Sequence, residues 1–272
     1  IVVVFNGEIY NFQELKKELL HHTFTTNTDT EVLVHGYEEW GVELPKKLRG
    51  MFAFAIYDKK KKQIFIARDH FGQKPFYYYK ATNEIFFSSE IKSFLVCPTF
   101  KKELNKDLLG AYLTFSFTPT DETFFKGVYR LPAGCYMRID TETLEMSIER
   151  YFEIRFEDTT AKYEEMIDKI EDAMKDSIKH HLISDVEVGS FLSSGIDSSY
   201  LVSLARPDKT YTVGYDIAQY SEIAHAKDLT DRLEMQNISD KISKEDYMKA
   251  LPSVFYHLDE PTSDACTTAV YF

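Results

Sequence analysis

Cysteine is scarce in this sequence. The 272 residues hold three, Cys97, Cys135 and Cys266, far apart and without a CxxC pair. That spacing argues against a disulfide framework and against a cysteine-rich zinc site, and it fits a reducing, cytoplasmic compartment. Positive charge is also short: 32 Lys plus Arg stand against 44 Asp plus Glu, a net charge of -12. A nucleic-acid backbone or an anionic membrane surface would be repelled, so neither is expected as a partner. The longest basic run, Lys59 to Lys62, lies between two strand-like segments and reads as a charged hairpin turn. No apolar run is long enough for a membrane-spanning helix, and the opening segment, IVVVFNG, is a strand already under way rather than a secretion signal. Aromatic residues are plentiful at 15%. They show no repeated spacing that would make a base-stacking platform, so core packing is their expected role.

Two halves differ in period. In the first, Ile1 to Phe5 reads as a buried strand ending in the turn pair Asn6-Gly7. Asn11 with Glu14 suggests a capping box opening a short helix, and Asp29 or Thr28 is placed to cap a second helix carrying Val32, Leu33, Tyr37 and Trp40. MFAFAIYD (51–58) and KQIFIARD (62–69) read as strands joined by the lysine turn, KPFYYYK and NEIFFSSE as another pair, and ERYFEI as a later strand. Residues 155–163 are polar and fit a linker. Beyond it, Tyr163, Met166, Ile170, Met174, Ile178 and Leu182 mark one face of a long helix. Strand-like EVGSFL, helix-like SSYLVSLA, strand-like TYTVGYD and a helix on Ile223, Ala226, Leu229 and Leu233 follow. Alternation of this kind points to a parallel α/β domain, of which only two strands are legible. The expected domains are 1–153 and 160–272, the second an incomplete sheet.

The most informative stretch is VEVGSFLSSGIDSSYLVSLA, residues 186–205. A strand that hands a run of small residues to a helix leaves backbone N–H groups converging at the helix N-terminus, which suits a phosphate. Ser193, Ser194, Ser198 and Ser199 add hydroxyls, and Gly195 permits close approach or a positive φ. Neither the Walker A pattern nor GxGxxG is present. Asp197 is a poor neighbour for bare pyrophosphate and a sensible one for a Mg²⁺ that bridges phosphates. Simple helix capping would account for one or two of these residues.

LSSGIDSS resembles the pyrophosphate loop of ATP pyrophosphatases, SGGxDS, with Ser194 in place of its second glycine. In the first half FNGEIYNFQEL, TNTDTEVLVHGYEEWG, LRGMFAFAIYD, ARDHFGQKPFYY and FSSEIKSF resemble, in order and spacing, the amidotransferase domain of glutamine-hydrolysing asparagine synthetases. VGYD, YSEIAHAK and HLDEPTSD resemble the synthetase domain of the same family. The resemblance implies an α+β four-layer αββα sandwich of the N-terminal-nucleophile type, then an α/β parallel-sheet domain of the ATP-pyrophosphatase type. It implies an oxyanion held by Asn6 and Gly7, with Glu8 and Asp29 gripping the glutamine α-amino group. ATP would be held by Leu192, Ser193, Gly195, Asp197, Ser198 and Val213, with Asp197 also on Mg²⁺. Arg68 and Asp69 are expected to anchor the core. Glu222 is divided between an ordinary first-turn acid and a nucleotide-site role, and Asp259, Glu260 and Asp264 between a solvated loop and the amino-acid site.

The family's nucleophile is an N-terminal cysteine whose own amine serves as base. None of the three cysteines stands at an N-terminus, so this sequence is expected to lack the upstream part of the first domain and, as it stands, not to hydrolyse glutamine. The later lysine-bearing segment of the synthetase domain is likewise expected beyond Phe272. Glutamine, aspartate and ATP are the implied substrates, with a homodimer left open. The rival readings are intramolecular amide formation of the β-lactam-synthetase kind, a ligase with another acceptor, and a non-enzymatic scaffold.

Overall fold

The computed structural model describes residues 1–262, 264 and 266–272. Ser263, within the 257–264 stretch, lies outside them. The chain divides into two compact units, Ile1–Glu157 and Asp158–Phe272. The division falls in a run without regular structure, residues 151–162.

The first unit is organised on β1 (Val2–Ile9), α1 (Phe12–Glu18), α2 (Thr30–Trp40), α3 (Leu44–Lys47), β2 (Gly50–Asp58) and β3 (Gln63–Arg68). It continues with β4 (Tyr77–Lys80), β5 (Ile85–Ser88), α4 (Leu109–Phe115), β6 (Val128–Arg130), β7 (Cys135–Asp140) and β8 (Met146–Arg150). One sheet runs β1-β2-β3-β7-β8 and the other β5-β4-β6, every pairing antiparallel. The period-2 alternation of β2 sorts its side chains to two faces. Phe52, Phe54 and Ile56 pack under Leu15, Val32, Leu33 and Tyr37 from α1 and α2 and under Leu19 at the end of α1, while Ala53 and Ala55 face Tyr78 of the second sheet and Phe76 and Leu131 at its strand ends. Small residues on that inner face let the two sheets approach. Tyr77 and Tyr79 point the other way, onto Ile91 and Phe94 of a 3₁₀ segment, Ile91–Val96. The layers are therefore helices, sheet, sheet and a 3₁₀ segment, an αββα order whose fourth layer is shorter than an α-helix.

Three local expectations are corrected. β1 does not turn at Asn6-Gly7: it stays paired with β2 from Val2 to Ile9. It is an edge strand, and Val2 and Val4 are half exposed rather than buried. Asn11 precedes α1 without a side-chain cap, because its amide donates to Lys47 O (2.9 Å) and its carbonyl accepts Arg49 N–H (2.9 Å). The strand read in ERYFEI ends at Arg150. Tyr151 instead closes a loop, its hydroxyl donating to Arg68 O at 2.7 Å. The lysine turn is as read: Asp58 Oδ1 accepts the Lys60 and Lys61 N–H groups at 3.0 and 3.1 Å.

The second unit contains α5 (Tyr163–His181), β9 (Gly189–Phe191), α6 (Ile196–Ala205), β10 (Lys209–Tyr215), α7 (Ile223–Arg232), β11 (Asn237–Ile242), α8 (Lys244–Leu258) and α9 (Cys266–Val270). The strands form a parallel sheet in the order β11-β10-β9. β11 was not legible: NISDKI is polar at most of its positions, and what makes it a strand is its parallel pairing from Thr210–Asn237 to Tyr215–Ile242. Leu192, Val202 and Ala226 form the core of this unit. α5 buries none of its residues, although its apolar face was the clearest helical signal in this half. Among the described residues no helix is long and apolar enough to cross a membrane.

Candidate functional site

In the first unit the sequence-derived residues converge on the open edge of β1. Because β1 pairs on one side only, its N–H groups alternate between β2 and the open edge. Tyr10 N–H bonds back to Arg49 O at 2.8 Å, whereas Ile9 N–H turns outward to Asp29 Oδ2 at 2.8 Å. Gly7 is two residues from Ile9, so its N–H points to the same open edge. Gly7 has φ +156, and a Cβ there would stand 2.1 Å from Met51 O. Glycine is therefore what allows β1 to lie against β2 while presenting this N–H.

Asn6 is in register with Ala53, so its side chain aims between the sheets. Its Nδ2 donates to Ser89 Oγ at 3.0 Å, on the wall of a cleft of about 260 Å³ lined also by Val4, Ala55, Phe76 and Phe87. An amide has two donor hydrogens, so one remains for a ligand. Glu8 is exposed on the same strand. Asp29 makes no side-chain cap to α2, since one of its oxygens is committed to Ile9 N–H. The structure thus ties Asp29 to the residue after Glu8. Ser89 was missed by sequence reasoning, which had only FSSEIKSF as an undifferentiated match.

Arg68 and Asp69 form a buried brace. Asp69 accepts the N–H groups of Phe52, Phe71, Gln73 and Lys74 at 2.9 to 3.2 Å. Arg68 donates to the carbonyls of Gly72, Lys74 and Leu131, each at 2.7 Å. With their polar atoms so engaged, these two hold the loop after β3. None of the cysteines is poised as a thiolate: burial raises the Cys97 and Cys135 thiols, and Asp264 raises that of Cys266.

In the second unit the serine loop follows β9 directly and opens α6. Leu192 sits in the core, and its carbonyl accepts the Thr212 hydroxyl at 2.8 Å. Ser193 and Ser198 are linked Oγ to Oγ at 2.8 Å, and Ser193 Oγ accepts Gly195 N–H at 3.1 Å. Gly195 is the N-cap of α6 with φ -72, so the positive φ allowed for it is not used. No side chain caps α6, and its first-turn N–H groups face the mouth of the loop beside the exposed Asp197. Val213 lies within β10, two residues before the strand ends at Tyr215.

Glu222 lies against this loop: its Oε1 accepts the Ser194 hydroxyl at 2.7 Å. The next βα connection can come this close because Gly214 has no side chain, and a Cβ there would stand 2.6 Å from Ser221 Oγ. The donor set is oxygen throughout, hydroxyls of Ser193, Ser194 and Ser198 with carboxylates of Asp197 and Glu222. Such a set fits Mg²⁺ and phosphate rather than a softer metal. Asp264 accepts Cys266 N–H at 2.9 Å, at the start of α9.

The chain joins an antiparallel two-sheet unit, whose edge strand turns the Gly7 and Ile9 N–H groups outward, to a parallel α/β unit with a serine-rich loop at a strand end. The chain belongs to the glutamine amidotransferase domain family, which it matches over residues 1–152, and residues 169–272 match the asparagine synthase family. It is similar to asparagine synthetase [glutamine-hydrolyzing] 1 of Bacillus subtilis (strain 168), with 39% identity over 99% of this chain and 43% of the relative. Asparagine synthetases [glutamine-hydrolyzing] 2 and 3 of the same organism are 37% and 34% identical over 78% and 79% of this chain, and 30% and 36% of their own lengths. The chain spans less than half the length of these relatives.

Proposed function

We propose that the protein carrying this chain makes asparagine from aspartate, using ATP and ammonia released from glutamine. The observation that carries the reading is the loop 193–198 at the end of a parallel strand, where α6 opens without a side-chain cap and with Asp197 in its first turn, the Ser193 and Ser198 hydroxyls are linked, and Glu222 accepts the Ser194 hydroxyl. The first unit supports it with the Asn6 amide on the cleft between the sheets, the Gly7 N–H on the open edge of β1, and Asp29 bound to the residue after Glu8.

In this reading the α6 N–H groups, Ser193, Gly195 and Ser198 cradle the pyrophosphate of ATP, and Leu192 and Val213 border its nucleoside. Asp197, in the first turn of α6, would hold Mg²⁺, which would neutralise phosphate charge when bound. The aspartate β-carboxylate attacks the α-phosphorus of ATP and pyrophosphate leaves, forming β-aspartyl-adenylate. Ammonia attacks the acyl carbon, AMP departs and asparagine remains. In the first unit Asn6 and Gly7 stabilise the tetrahedral oxyanion formed as the glutamine amide is cleaved.

The test is pyrophosphate release by the protein that carries this chain, with aspartate, ATP and Mg²⁺. Asp197→Asn should abolish release while leaving the circular dichroism spectrum and melting temperature unchanged. Wild-type turnover in that variant would remove Asp197, and the loop with it, from the reaction.

A further inference from the structure

We propose that His22, His35 and Glu38 form a binding site for one divalent transition-metal ion of the zinc class. The site lies in the first unit, and it does not depend on the function proposed above. His22 follows α1 in a turn closed by its N–H on Leu19 O at 3.0 Å, and His35 and Glu38 stand one turn apart on α2. One donor atom from each of the three lies within 4.8 Å of the others. Glu38 Oε2 is 3.5 Å from His22 Nδ1 and 3.1 Å from His35 Nδ1. In four-coordinate zinc with bonds of about 2.0–2.1 Å, ligand atoms stand about 3.3–3.4 Å apart, so these two separations bracket the edge of such a tetrahedron.

The arrangement around the rings points the same way. The far nitrogen of each imidazole also faces a carboxylate: His22 Nε2 is 3.5 Å from Glu39 Oε2, and His35 Nε2 is 3.6 Å from Glu31 Oε1. A neutral imidazole has one N–H, so a ring between two carboxylates must turn one lone pair toward a carboxylate oxygen. Both rings are in that position, with three carboxylates around them. Protonating both would place two imidazoliums with ring centroids 4.8 Å apart. A single divalent ion on the Nδ1 side satisfies both lone pairs at once and leaves each Nε2–H for its outer carboxylate, the usual support of a metal-bound histidine.

That outer shell is itself built. Glu31 accepts the hydroxyl and N–H of Thr26 at 2.6 and 2.7 Å and the N–H and hydroxyl of Thr25 at 2.8 and 3.0 Å. Those bonds, the Thr26 hydroxyl first, hold its carboxyl well below the usual range, at about 2. Phe24 meets the His35 ring edge-on with centroids 4.8 Å apart. Lys16, one of two lysines on α1, is engaged elsewhere, donating to Thr26 O at 3.2 Å with its ammonium 5.0 Å from the Phe24 centroid. The histidine side chains are 19% and 17% exposed, so an ion and a completing water can reach them. Bound there, the ion would staple the end of α1 to α2 and fix the intervening loop, which ends at Asp29.

The experiment uses the full chain, freed of metal with a chelator and titrated with Zn²⁺ and with Co²⁺. One Zn²⁺ should bind per chain, Co²⁺ should give the intense visible bands of a four-coordinate ion, and excess Mg²⁺ should displace neither. His22→Ala, His35→Ala and Glu38→Gln should each weaken binding at least about tenfold, while His21→Ala, a neighbouring histidine outside the cluster, leaves it unchanged. His35→Cys guards against a folding artefact, because it should keep Co²⁺ and add a thiolate charge-transfer band. Absence of saturable binding, binding unaffected by the three variants, or a His35→Cys spectrum without the thiolate band would each overturn the site.

Discussion

Asn6 shows how one side chain can be set by its neighbours before any ligand arrives. Its register opposite Ala53 aims it into the cleft between the sheets, and Ser89 Oγ takes one of its amide hydrogens at 3.0 Å. The other hydrogen is the one the proposed reaction uses. Asn6→Ala should therefore lower kcat for glutamine hydrolysis by about 10²–10³, the cost of one oxyanion donor. Ser89→Ala should lower it less, since it frees the amide to rotate without removing it. Asparagine synthesis from free ammonia should survive in both, measured on the protein that carries this chain. A parallel fall of the two activities would make Asn6 structural. At this scale the partners of polar residues were poorly legible in the sequence. Asn11 and Asp29 have the composition of helix caps, yet their side chains bind the backbone at Lys47, Arg49 and Ile9 instead. Local capping is worth about 1 kcal/mol, so a tertiary acceptor of similar strength competes with it, and that competitor cannot be seen from neighbours in sequence. Glu222 was undecided for the same reason, its partner Ser194 lying 28 positions away.

Strands legible in the sequence were those whose side chains sort cleanly by face. β2 and β3 are such strands, with Phe52, Phe54 and Phe65 on one side and Ala53, Ala55 and Ile66 on the other. β11 failed that test because it is an edge strand, exposed over most of its length, and its pairing with β10 is the evidence for it. The Asn6-Gly7 pair failed in the opposite direction, since its local preference for a turn is overridden by eight register pairs with β2. Gly7 makes the cost of that override measurable. A Cβ at Gly7 would meet the β2 backbone at 2.1 and 2.7 Å, and backbone cannot rotate aside as a side chain can. Gly110, inside α4, has no atom within 4 Å of its added Cβ. Gly7→Ala should destabilise the first unit by at least about 2 kcal/mol, whereas Gly110→Ala should stabilise it by about 0.5–1 kcal/mol through helix propensity. Urea titrations of the two variants check this, and equal effects would mean that β1 can leave β2 without consequence.

The two units bury their apolar residues unequally, and this sets the order in which they should come apart. In the first, β2 is covered on both faces, and Phe52, Ile56, Phe65 and Ile66 are all 0% exposed. Each such side chain contributes roughly 1.5–3 kcal/mol relative to exposure. In the second, the buried cluster centres on Leu192, Val202 and Ala226, no residue of α5 is buried, and Phe191, on a strand, is 63% exposed. Parallel sheets are stable when both faces are covered, and this one is not covered at that position. Residues 151–162 contain no regular element and give a protease an accessible stretch of backbone. Limited proteolysis of the chain should therefore cut within about 153–162 and leave the first unit as the resistant fragment. Calorimetry should show two transitions, the lower one belonging to the second unit. In hydrogen exchange the amides of β2, β3 and β7 should be the slowest and those of α5 among the fastest, because local opening costs least where little apolar surface is buried. A single transition in which α5 and β2 lose protection together would contradict this order and would mean that the two cores unfold as one cooperative body.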